Sequence, residues 1–251
     1  MRPFHYGSIA ALLAIVLLLA LQVSWWWILL VVVVYLHLLI LGAIYIRWNF
    51  YLKSLCKGNN KQWICLSFDD GPATQTAAIL DILKLHNVPA AFFTIGKNAV
   101  SHPELVKRWD EEGHIIGNHS YSHGFNFDWQ SSKKMCEEIE ETNGVIRDIT
   151  GKKPLLFRPP YGVTNPNLSR AVRQTKMHSI AWSVRSFDTS AKDPQQLLAR
   201  ILNQLQGGDI ILMHDSMPIT KEILTELIIR TRENGFTFVP LDQMLDINAY
   251  A

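Results

Sequence analysis

From residue 63 onward, short apolar runs alternate with longer stretches where apolar and charged positions recur at helical spacing. Short apolar runs rich in β-branched and aromatic residues read as buried strands, and the amphipathic stretches read as helices. The pattern predicts strands over 63–68, 90–95, 114–117, 155–157, 178–184, 209–213 and 236–239. Helices are expected over 74–86, 103–112 and 131–149, from about 167, and over 194–205 and 219–234. Strands that alternate with helices imply βαβ units and a parallel sheet. The expected fold is therefore α/β, with about seven strands that either wrap into a barrel or lie open and doubly wound.

The first part of the chain has another pattern. From Ser8 to Ile46 there is no Lys, Arg, Asp or Glu. One helix of that length would rise roughly 60 Å, about twice a bilayer's hydrocarbon thickness. Two spans fit better, about 8–22 and 26–46, with Ser24-Trp25-Trp26-Trp27 at the turn. Indole rings favour the membrane interface and suit a hairpin tip. The rival is a cleaved signal peptide, but no small-x-small site precedes the tryptophans, and a second apolar run follows at once. Residues 1–52 are thus expected to be a two-helix transmembrane anchor, 53–62 a polar linker around Gly58-Asn59-Asn60, and 63–251 one domain. Arg2, Arg47, Lys53 and Lys57 flank the spans and the tip carries no charge, which places both ends, and the domain, on the cytoplasmic face. His37, inside the second span, is expected to face its helix partner. The net charge of +2 argues against a nucleic-acid partner, and Cys56, Cys65 and Cys136 read as free or buried thiols.

The chemistry gathers at strand ends. Asp69 and Asp70 close the first strand and Gly71-Pro72 turns the chain. Asn118-His119-Ser120-Tyr121-Ser122-His123 follows the third, Arg158-Pro159-Pro160-Tyr161-Gly162 the fourth, Asp188 the fifth and His214-Asp215 the sixth. In a parallel barrel these ends share one face, where active sites sit. His119 and His123 are spaced i, i+4. On a helical turn both imidazoles would share a face, and two His with a carboxylate form a common catalytic set for zinc or iron(II). His86, His102, His114 and His178 read as structural.

In this order the motifs Ser-Phe-Asp-Asp-Gly-Pro, His-Ser-Tyr-Ser-His, Arg-Pro-Pro-Tyr-Gly, Asp188 and Leu-Met-His resemble those of the polysaccharide deacetylases. This carbohydrate esterase group includes the chitooligosaccharide deacetylase of nodulation and the peptidoglycan deacetylases. The resemblance covers residues 63 to about 245 and leaves the apolar segment out. It implies a distorted (β/α) barrel and a metal-dependent N-deacetylase. Asp70, His119 and His123 would be the metal ligands, with zinc as the ion. Asp69 would be the general base, held by Arg158. His214 would be the general acid, tuned by Asp188. Tyr161 would offer its backbone N–H to the oxyanion, and Leu212 would line the acetyl pocket. Thr189 stands where the family usually carries Trp, so the pocket beside Asp188 is expected to differ. Phe125, Phe127, Trp129 and Trp182 are candidates to stack on sugar rings, with Trp182 more naturally in the core. The implied substrate is an N-acylated amino sugar in a polymer, an oligosaccharide or a lipid-linked glycan. A deformylase or other amide hydrolase on the same fold, and an inactive sugar-binding membrane protein, are the alternatives.

Overall fold

The computed structural model describes residues 2–251. Two apolar helices lead, α1 (Pro3–Ala20) and α2 (Trp25–Ile44). Each is long and apolar enough to cross a membrane. Both start earlier than expected: Pro3 is pre-organised for a first helical turn, and the three tryptophans form the exposed first turn of α2 rather than a loop. Leu12, Leu13, Leu17, Trp26 and Ile40 stay exposed, so the hairpin presents apolar side chains outward. Ser8 and Tyr35 hydroxyls meet across it at 2.7 Å. His37 corrects the sequence reading: it is exposed and donates Nδ1–H to Val33 O of its own helix at 2.8 Å. The base of the hairpin docks on the domain. Thr164 N–H donates to Ala43 O (2.9 Å) and Arg47 Nη1 to Ser183 O (3.0 Å).

The domain opens with β1 (Ser54–Leu55), inside the stretch expected to be a linker; its partner is the strand at 178–180. Next come β2 (Trp63–Asp69), α3 (Thr76–Leu85), β3 (Ala90–Thr94), α4 (Gly96–Ser101), α5 (Pro103–Glu111), β4 (Ile115–Asn118) and α6 (Ser132–Thr150). Then follow β5 (Leu156–Phe157), α7 (Pro166–Gln174), β6 (His178–Ile180), β7 (Val184–Arg185) and α8 (Pro194–Leu202). The chain ends with β8 (Ile210–His214), α9 (Pro218–Glu233), β9 (Thr237–Phe238) and α10 (Leu241–Leu245). The sheet order is β1-β6-β5-β4-β3-β2-β8-β7, with β9 on the start of β2, and every strand pair is parallel. The strand expected over 178–184 is two strands, β6 next to the β1 edge and β7 at the opposite edge. The chain passes between them through Ala181, Trp182 and Ser183 alone, so the sheet curls into a distorted barrel.

Strand alternation places the site. On β2, Ile64, Leu66 and Phe68 face the helix layer, where Phe68, Phe92 and Trp109 stack in series at 5.1 and 4.6 Å. Period two then turns Cys65, Ser67 and Asp69 into the barrel. On β8, Ile211 and Met213 join the helix-facing core, which leaves Leu212 and His214 inside.

Candidate active site

Parallel register sets Asp69 of β2 opposite His214 of β8. Immediately after Asp69 the strand conformation stops: Asp70 takes a left-handed backbone, φ 73°. That turn is pinned from the β3 side. Gly71 O accepts from Ile95 N–H (3.1 Å) and Thr94 Oγ1 (2.8 Å), and Asp70 O accepts from Asn98 Nδ2 (2.7 Å). Gly71 is required here, because a Cβ would collide with the Asp215 carboxylate.

The histidine segment is not the helical turn its spacing suggested. Ser120 (φ 64°) and His123 (φ 48°) are left-handed, which breaks any helix. Side chains hold the loop instead. Asn118 Oδ1 accepts from Ser120 N–H (2.8 Å), and buried Glu138 of α6 accepts from the N–H groups of Tyr121 (3.0 Å) and Ser122 (2.8 Å) and from the Ser122 hydroxyl (2.8 Å). His119 donates Nδ1–H to Arg158 O at 2.7 Å, so its Nε2 lone pair faces the site. Burial drives the His119 pKa down to about 3, against the pull of Asp70, and leaves the imidazole neutral. Asp70 Oδ1 lies 3.5 Å from both His119 Nε2 and His123 Nε2 and has no hydrogen-bond partner. A buried acceptor facing two imidazole lone pairs fits a cation, and the O, N, N donor set suits zinc.

Arg158 is fully buried. It donates to Asp69 Oδ1 (2.6 Å), Ser67 Oγ (3.0 Å) and Ala181 O (3.1 Å), with its guanidinium 4.0 Å from the Phe93 ring centroid. Burial raises the Asp69 pKa, and Arg158 offsets only part of that rise. The other wall is a buried chain. His214 Nδ1–H donates to Asp188 Oδ1 (2.8 Å), and Asp188 Oδ2 accepts from His214 N–H and Thr220 Oγ1 (both 2.7 Å). Burial alone would lower the His214 pKa; its bond and charge contact with Asp188, then Asp69 and Asp70, lift it to about 9. Burial also pushes Asp188 up, but these bonds outweigh it and hold its carboxyl below the usual range.

Together Asp69, Asp70, His119, His123, Tyr161, Leu212 and His214 line a cavity of about 210 Å³, with Arg158 and Asp188 behind its walls. Tyr161 is left-handed (φ 58°) and its ring packs 4.6 Å from His123. Thr189 lines the cavity where the family's Trp was expected, and Trp182 does too while packing against a core cluster, as expected of it. Phe127 is fully buried in a side cluster, so it is no sugar platform; Phe125 and Trp129 are exposed. Two supporting carboxyls were missed. Glu138 lies on the apolar stripe of α6 with Met135 and Ile139, and a charge on a buried stripe is a usable signal. Asp215 is fully buried, accepts from Thr76 Oγ1 at 2.5 Å, and is raised to about 7 by burial and by Asp70. Its place directly after His214 gives no hint of this.

The sequence profile described as Polysaccharide deacetylase matches residues 57–180. A peptidoglycan-N-acetylglucosamine deacetylase of Bacillus cereus is 34% identical over 190 residues, covering 74% of this chain and 69% of that protein. The Listeria monocytogenes peptidoglycan-N-acetylglucosamine deacetylase PgdA is 34% identical over 189 residues, 75% of this chain; the match spans only 40% of that longer relative. The crystal structure of the Bc1960 peptidoglycan N-acetylglucosamine deacetylase superposes with a TM-score of 0.75 at 32% identity, covering 79% of this chain and 95% of the other.

Proposed function

The chain belongs to the polysaccharide deacetylase family, and from that premise we propose that it hydrolyses the N-acetyl group of an amino sugar to acetate and a free amine. The observation that carries this reading is the meeting of Asp70, His119 and His123 in one cavity with Asp69 and His214.

A divalent cation held by Asp70, His119 and His123, zinc in our reading, would acidify a water and polarise the amide carbonyl. Asp69 takes the proton from the attacking water at Oδ2, because Arg158 occupies Oδ1. Tyr161, turned by its left-handed backbone, gives its N–H to the developing oxyanion. His214, charged at neutral pH, protonates the leaving nitrogen from Nε2 while Asp188 holds Nδ1. Leu212 offers the methyl group an apolar wall. Replacing Asp69 with Asn should lower acetate release from a soluble N-acetylglucosamine oligomer by roughly a thousandfold. Unchanged turnover refutes the assignment.

The substrate form follows from the anchor. We read α1 and α2 as a membrane anchor and the chain from Ser54 as the catalytic domain. The positive flanks Arg2, Arg47, Lys53 and Lys57 favour a cytoplasmic domain acting on a lipid-linked amino sugar. The relatives, named as peptidoglycan deacetylases, favour a second reading, in which the domain lies outside and acts on peptidoglycan. A reporter fused after Ala251 separates the two, since activity outside the membrane contradicts the lipid-linked precursor.

A further inference from the structure

A second cavity, of about 520 Å³, opens where α2 leaves for the barrel; Tyr45, Arg47, Trp48, Trp182, Arg185 and Phe187 line it. It adjoins the active site, since Trp182 and Arg185 line both cavities. Its charge is one-sided. The Arg185 guanidinium lies 4.9 Å from the Phe187 ring centroid and 5.7 Å from that of Trp182, and Arg200 approaches Phe187 at 5.9 Å. Arg47 and Arg200 donate to carbonyls, Ser183 O (3.0 Å) and Ser186 O (3.3 Å). Among the described residues none of these three arginines pairs with a carboxylate, which is also true of Arg170, Arg173 and Arg232, so their distinction is their place beside the cavity. Phe187 adds a half-exposed aromatic ring on a left-handed backbone, φ 60°, unusual for a bulky residue.

An exposed arginine is ordinarily solvated surface. Three without acidic partners, beside a recess that shares a wall with the catalytic cavity, suit an anion: guanidinium groups grip phosphate oxygens in pairs, and aromatic faces cover what lies next to them. The position selects the anion's carrier. Tyr45 directly follows α2, so the cavity sits at the foot of the apolar hairpin. A glycan polymer needs an approach clear on both sides, and the foot of α2 closes this one. We infer that the cavity binds the phosphate headgroup of a lipid-anchored amino sugar, with the lipid along α2 and the N-acyl group over Asp69. This rests on the deacetylase reading for what the neighbouring cavity does; the binding of lipid phosphate does not.

The test is native mass spectrometry of the full-length protein from detergent micelles, with a polyprenyl phosphate as probe. The wild type should hold one polyprenyl phosphate at least roughly tenfold more tightly than the matching polyprenol, the difference one charge-assisted contact makes. R185Q should weaken it several-fold without altering thermal unfolding. Equal retention of phosphate and alcohol overturns the proposal, and that comparison needs no variant. Inorganic phosphate binding as tightly as the lipid overturns the lipid carrier and leaves a free-anion site. Failure of the deacetylase reading shows separately, as absent acetate release from a soluble oligomer while polyprenyl phosphate still binds.

Discussion

The two walls of the active site are built by different means. On the ligand wall, Asp70, Ser120, His123 and Tyr161 all stand outside regular structure with positive φ. Buried acceptors hold the histidine loop by its backbone N–H groups: Asn118 takes that of Ser120, and Glu138 those of Tyr121 and Ser122. On the acid wall, His214 sits at the end of a regular strand, in register with Asp69, and Asp188 and Thr220 fix its side chain. Strands are rigid through their ladders, but a loop that must point two imidazoles at one spot depends on a few hydrogen bonds. Damage to the ligand wall should therefore disturb geometry, and damage to the acid wall should disturb proton affinity.

Asp188→Asn breaks the acid wall and has the largest expected effect among the variants that separate the two walls. His214 loses its main cationic support, so kcat should fall roughly a hundredfold. In the proposed mechanism His214 acts as its protonated form, so activity should be present below its pKa and lost as pH rises through it. The wild-type value, raised to about 9, should fall in the variant, moving the alkaline limb of the pH profile to lower pH. Zinc content should not change. Glu138→Ala strikes the opposite wall. It strands two backbone N–H groups and a hydroxyl, at roughly 2–4 kcal/mol of stability, and should weaken zinc retention while leaving the alkaline limb in place. If both variants changed both readouts alike, the division between the walls would fail.

Glu138 also marks where the sequence is hard to read. The acidic residues Glu137, Glu138, Glu140 and Glu141 cluster on α6, and only helix phase, set by Met135 and Ile139, turns one of them inward. The barrel itself was legible, since long apolar runs such as 63–68 and 209–213 bury both faces of their strands. The short strands were read unevenly. Leu156–Phe157 and Thr237–Phe238 fall inside the expected 155–157 and 236–239, whereas Ser54–Leu55 carries no period to detect, and the split of 178–184 depends on which end of the sheet each half reaches. The site residues could be named from strand ends and motif order, but not their conformation. An i, i+4 histidine pair looks the same on paper whether a helix or a left-handed loop carries it.

Gly71→Ala should have a smaller effect, about 1–3 kcal/mol, because the new methyl group displaces the Asp215 carboxylate from behind the Asp70 turn. Denaturant unfolding would measure it, together with a modest loss of zinc affinity. The smallest effect at neutral pH concerns His114, which lies away from both walls and accepts from Ala90 N–H at 3.2 Å. Burial lowers its pKa to about 4. The unfolded chain then binds the extra proton first. Stability from this group is complete above about pH 6.5 and is lost as pH falls toward 4, by roughly 3 kcal/mol. His114→Gln should flatten that slope without shifting the activity profile.

The central claim is that Asp70, His119 and His123 together hold one divalent cation. Metal analysis of the full-length protein, equilibrated with zinc and freed of excess, tests it directly. The account predicts one zinc per chain in the wild type and loss of that zinc in His119→Ala with the fold retained. Equal zinc in both proteins, or none in the wild type, would contradict it.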